Sequence, residues 1–175
     1  VLVRSMNTLR ELIKDKELDD LTSEILVKCL SHCFKYFHSS SWDVRNAALM
    51  LYSSLYHKII TVNLGTKRCV DIRKLRTIFG IQLIEILQHE LQNYQKTNIY
   101  PLLVFMEKVD FVNIFATPQS DIITLHRGVE KFVSGLLSDR SFYIRTKAHK
   151  ILCNLRPTAN ISGERDRNFW NAVKF

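Results

Sequence analysis

The residues best placed to touch an anion lie in the stretch TVNLGTKRCVDIRKLRT. Lys67, Arg68, Arg73, Lys74 and Arg76 crowd into ten positions, offset only by Asp71. Such a cluster could neutralise several phosphates. The same residues read equally well as a solvated connection whose charges keep it soluble. A second group, Arg140, Arg145, Lys147, Lys150 and Arg156, is spread around a helix by its spacing. CLSHC offers a different chemistry. Cys29, His32 and Cys33 stand at i, i+3 and i+4, which could bring two thiols and an imidazole to one ion. Yet the two cysteines continue the apolar stripe of Ile25 and Phe37, and no second Cys/His pair follows nearby in sequence. They are expected to be core thiols, and no metal or other cofactor is expected.

Catalysis has no frame here. The glycines, Gly65, Gly80, Gly128, Gly135 and Gly163, stand singly, so no loop can cradle a nucleotide or a methyl donor. No nucleophile elbow or matched Cys/His motif accompanies the serines and histidines. The chain is expected not to be an enzyme, with no catalytic residues.

HSSSWDVRNAALMLYSSLY carries the most conspicuous residues, Trp42, Arg45 and Asn46. They are either a partner-binding motif or the opening of a buried helix. In the structural reading Ser41 caps, Trp42 plugs, Arg45 pairs with an acidic residue of a neighbouring hairpin, and Asn46 bonds the preceding loop. A repeat favours architecture for most of it. SSWDVRNAALMLYSSL (40–55) aligns without gaps on RSFYIRTKAHKILCNL (140–155). Ser41 meets Ser141, Trp42 meets Phe142, Val44 meets Ile144, Arg45 meets Arg145 and Ala48 meets Ala148. Leu51 then meets Ile151, and Leu55 meets Leu155. Asn46 meets Thr146, so the repeat is silent on Asn46.

The elements that position these residues are helical. With 5 Gly and 3 Pro in 175 residues, breakers are few and long helices are favoured. Apolar residues recur at helical spacing over 1–14, 20–37, 42–60, 73–94, 98–109, 122–137 and 142–155. Asp19 or Asp20, and Thr97 or Asn98, are the candidate caps of the second and fifth. No strand is expected. The 42–60 helix has one apolar face of Val44, Ala48, Leu51, Leu55 and Ile59, and another of Leu49, Tyr52 and Tyr56. A helix apolar on two sides is sandwiched between neighbours. The expected fold is an all-α, HEAT/armadillo-like solenoid segment of antiparallel helical hairpins over 1–155, with a basic insertion at about 61–74. Residues 156–175 read as a polar connection and the start of a further helix.

Composition bounds the rest. At 46% hydrophobic and 24% charged, the chain can bury a core. The net charge of +8 makes an anionic partner plausible, nucleic acid first. The cysteines (Cys29, Cys33, Cys69 and Cys153) read as reduced core thiols of an intracellular chain. No membrane span or signal peptide is read, and the amphipathic start without Met reads as a cut from something longer.

SMNTLRELIKDKEL followed by SSSWDVRNAALMLYSSLYHKI resembles the central region of the THADA/Trm-type adaptors. These are the thyroid-adenoma-associated proteins and their yeast tRNA-methylation counterpart. The positions that carry the resemblance are Asn7, Leu9, Arg10, Ser39, Trp42, Val44, Arg45, Asn46, Leu49, Met50 and Leu51. The likeness covers 1–60 and, less closely, 98–109 and 122–155. The family's Arg-Arg-Ser-Ala-Gly-type motif is not in this sequence, and the Gly that follows the Arg-Asn helix is shifted. The resemblance implies a long solenoid, cytoplasmic and non-catalytic, that partners an FtsJ-like tRNA 2′-O-methyltransferase. Together they modify nucleotide 32 of the tRNA anticodon loop. The alternative is a protein–protein scaffold of the same fold that touches no RNA, as in transport or membrane-pump regulation.

Overall fold

A computed structural model describes residues 1–15, 23–64, 68–94, 99–111 and 118–155. The expected caps at Asp19 or Asp20 and at Thr97 or Asn98, together with Lys67, Arg156 and the 156–175 connection, lie outside the described residues.

The described chain is all-helical apart from one short strand pair. The helices are α1 (Leu2–Lys14), α2 (Ser23–Tyr36), α3 (Trp42–Tyr56), α4 (Val62–Leu64), α5 (Ile72–Gln92), α6 (Ile99–Met106), α7 (Ser120–Leu136) and α8 (Phe142–Leu155). A single π turn, His57–Thr61, extends α3. Asn63 ties it down by donating its side-chain amide to the Ile59 carbonyl at 2.9 Å.

The contacts order the helices into two rows. α2 packs on α5 and α5 on α7. In the other row α6 packs on α8, and α1 lies against α3. α3 reaches α6 through Tyr52, whose buried hydroxyl donates to the Pro101 carbonyl at 2.7 Å, and through an edge contact of Tyr56 on Phe105. The rows are joined where α2 packs on α3 and α7 on α8. The core runs between them and holds Phe34, Phe37, Phe105 and Phe111 fully buried. Phe34, Phe37 and Tyr52 meet edge to face, a geometry that aromatic quadrupoles favour.

Two features depart from the sequence reading. β1 (Val70–Asp71) and β2 (Val109–Asp110) form a parallel pair, with Val70 opposite Val109 and both buried. α5 bends at Gly80, whose φ of 74° and ψ of −179° suit only a residue without Cβ.

α3 is sandwiched as expected, but by different residues. Ala48, Leu51, Leu55 and Ile59 are fully buried and Val44 packs on the core. Tyr52 is buried as well. Leu49, placed by sequence on the second apolar face, is 44% exposed. Ala47 and Ser54 are buried in its place, on the side turned to α1. Small residues there let the α1 backbone come close.

Candidate functional site

The recurring Arg is part of a repeated loop. In 37–41 the Ser39 amide donates to the Tyr36 carbonyl, and the Ser39 hydroxyl accepts from the Ser41 amide at 3.2 Å. In 137–141 the Asp139 amide donates to the Leu136 carbonyl, and the Asp139 carboxylate accepts from the Ser141 amide at 2.7 Å. The side chain that closes the turn is thus Ser39 or Asp139. Ser41 is the N-cap residue of α3 but makes no side-chain cap bond.

Arg45 and Arg145 then lock the loops. Arg45 Nη1 donates to the Ser39 and Ser40 carbonyls at 2.6 and 2.9 Å. Arg145 Nη1 donates to the Asp139 and Arg140 carbonyls at 2.6 and 3.0 Å. Arg45 was expected to pair with a carboxylate of a neighbouring hairpin. It binds backbone oxygens of its own loop instead, because that loop turns back over the first turn of α3 and brings bare carbonyls within reach. Trp42 is no plug. It is 66% exposed, and its counterpart Phe142 is 60% exposed. Both sit at the first position of their helix, ahead of the face that packs. The Arg145 guanidinium lies 5.8 Å from the Phe142 ring centre. Asn46 is exposed and turned toward α1, where it borders a cleft with Asn7, not toward a preceding loop.

The basic cluster is mostly spoken for. Arg68 is exposed. Arg73 forms a forked pair with Asp71, Nε to Oδ1 at 3.1 Å and Nη2 to Oδ2 at 2.5 Å. Asp71 also caps α5, accepting from the Arg73 amide at 2.8 Å. Arg76 reaches across to Asp121 in the first turn of α7 at 2.6 Å. Lys74 Nζ donates to the Asn63 carbonyl at 3.0 Å. The sequence reading saw an insertion loop; Arg73, Lys74 and Arg76 instead stand on the first turns of α5. Cations there oppose the helix dipole, and Asp71 offsets them. At Asp121, burial raises the carboxyl pKa, but the Arg76 hydrogen bond and charge outweigh it and hold it below the ordinary value.

One ionic site was not anticipated. Glu107, just past α6, is only 7% exposed and receives both Lys147 and Lys150 of α8, the latter at 2.5 Å. Burial raises the Glu107 pKa, yet the hydrogen bonds from both lysines win and the carboxyl stays below its ordinary value. Beside it, Tyr100 and Tyr143 stack at 5.6 Å, with the Lys147 ammonium 5.6 Å from the Tyr143 ring centre. This takes Lys147 and Lys150 out of any phosphate-binding patch.

The cysteines divide. Cys29 and Cys33 are buried, and burial pushes the Cys33 thiol far above its ordinary pKa. His32 is exposed and stacks on Tyr36, so CLSHC does not converge. Cys69 is only half-buried and Cys153 is exposed, so these two are not core thiols. Among the described residues no group of His, Cys, Asp or Glu could hold a metal ion, and no helix is long and apolar enough to cross a membrane.

No family model, no curated protein and no solved structure matches this chain.

Proposed function

We propose that this chain is a segment of a HEAT/armadillo-type solenoid that serves as a non-catalytic adaptor in tRNA modification. In this reading the two rows of helices are the two layers of the solenoid, and 1–155 is one run of stacked hairpins. The observation that carries it is the recurrence of the loop clamp, Arg45 on 39–40 and Arg145 on 139–140. Stacked units of this kind share a continuous core that no single hairpin could bury. Their function is to present an extended surface to a partner.

The RNA part of the proposal rests on the net charge of +8 and on the resemblance carried by Asn7, Arg10, Trp42, Arg45 and Asn46. The adaptor would be cytoplasmic and would hold tRNA for an FtsJ-like 2′-O-methyltransferase, which would bring the methyl donor and the chemistry. Titration of a tRNA transcript across a series of salt concentrations tests it. Binding should weaken steeply with salt, as counterion release requires. A flat salt dependence, or no binding, refutes the RNA role.

A specific observation favours a second reading, a protein-only scaffold of the same fold. Arg73 and Arg76 are already neutralised by Asp71 and Asp121, which leaves the cluster fewer cations for phosphate. In the adaptor reading Arg68 and Lys74 carry most of that contact. Substituting those two by Gln should reduce the salt slope, whereas Arg73→Gln should leave it nearly unchanged.

A further inference from the structure

The two stretches that the sequence singles out come together in space. α1 and the first half of α3 enclose a cleft of about 530 Å³, within the range of roughly 300–1,000 Å³ usual for ligand sites. Arg4, Asn7 and Arg10 line it from α1, and Asp43 and Asn46 line it from α3. Asn46 also borders a smaller hollow of about 200 Å³ whose wall is Trp42. The two hollows therefore adjoin at one amide. Arg4, Asn7, Trp42 and Asn46 are all exposed, so their polar and aromatic faces are available. Arg10 pairs with the exposed carboxylate of Glu11, a contact that water screens.

The chemistry of this surface is divided. Cations stand on the α1 side. On the α3 side stand an indole that is 66% exposed, a carboxamide that both donates and accepts, and a carboxylate. A phosphate is attracted to Arg4 and Arg10 and repelled by Asp43. A flat heterocycle fits the indole face, and its polar edge fits Asn46. A chain that carries phosphates along one side and flat bases along the other satisfies both halves. Duplex RNA does not, because its bases are stacked away inside.

We infer that this cleft binds unpaired RNA, with one base stacked on Trp42 and read by Asn46 while the backbone runs along Arg4 and Arg10. The inference rests on the RNA-binding reading above and assigns its contact to a surface outside the 67–76 cluster. Base-on-aromatic stacking is sequence-tolerant, and removing the aromatic ring costs about tenfold in affinity for one base.

The test uses the full-length protein and a short RNA hairpin with 4-thiouridine in its loop, with a blunt duplex of the same length as control. Photo-crosslinks from the hairpin should map to the α1 and α3 peptides, and the duplex should give none there. Trp42→Ala should weaken hairpin binding about tenfold with the thermal midpoint unchanged. Trp42→Phe should restore most of it, and Arg4→Gln with Arg10→Gln should lower the salt slope. Hairpin binding that is indifferent to Trp42→Ala, with crosslinks elsewhere, overturns the cleft and leaves the RNA reading standing. Failure of the parent protein to bind the hairpin at all overturns both.

Discussion

Replacing Arg45 by Met keeps an apolar stem of similar length and removes the guanidinium, so the loop clamp is lost while most packing stays. The parent residue makes one part-buried and one exposed charge-assisted bond to backbone carbonyls. Such bonds contribute about 1.5–3 kcal/mol when shielded, and the exposed one much less. Water can reach the freed carbonyls, so the expected loss is about 1.5–2 kcal/mol. In a chain of this size that is a fall of about 3–8 °C in Tm. Arg145→Met should cost the same, because its two bonds match in partner, length and exposure. The clamps sit in different hairpins, so the double variant should lose the sum, about 3–4 kcal/mol. Urea unfolding followed by circular dichroism measures all three. A loss below about 0.5 kcal/mol for either single variant, or losses that differ more than about twofold, refutes the equivalence of the two units.

Three further outcomes follow from the packing. Tyr52→Phe removes the buried donor to the Pro101 carbonyl and should cost about 1–2 kcal/mol in urea unfolding, and a neutral result would mean that this bond does not join α3 to α6. Gly80→Ala forces a Cβ into a conformation reserved for glycine and toward the Gln82 side chain, so the loss should be about 1–3 kcal/mol in the same assay, and a stabilised variant would place a regular helix there. Asp121 and Glu107 both lie below their ordinary values of 3.8 and 4.5, so their contribution is complete above those values and is lost as pH falls through the lower folded ones. Stability should therefore decline with acid below pH 4.5, and Glu107→Gln should shallow that decline; a pH profile unaffected by the substitution would contradict the ion-pair account.

Helix positions and the repeat were legible because they depend on periodicity, which the chain carries openly. α8 begins at Phe142 and ends at Leu155, as the aligned repeat implied. Ala48 and Ala148 are fully buried, as a close approach of helices needs. Partners were less legible. Arg45 was matched to a carboxylate because spacing shows only which face a side chain takes, not that a returning loop offers carbonyls closer at hand. Glu107 finds Lys147 and Lys150 from 40 and 43 residues away, and nothing in the local pattern marks that meeting. The strand pair is two residues long on each side, too short to show alternation. Trp42 was read as buried because it is large and aromatic, but a first-turn position precedes the packed face. Within the basic cluster, sequence showed the charges and could not show that Asp121, 45 residues on, cancels one of them.

The central claim is that this chain holds RNA for another protein's chemistry. Affinity capture of the full-length protein from its own cells, followed by RNA sequencing and mass spectrometry of the eluate, tests it most directly. The account predicts tRNA together with a small FtsJ-like methyltransferase. Recovery of protein partners with neither tRNA nor a methyltransferase would contradict it.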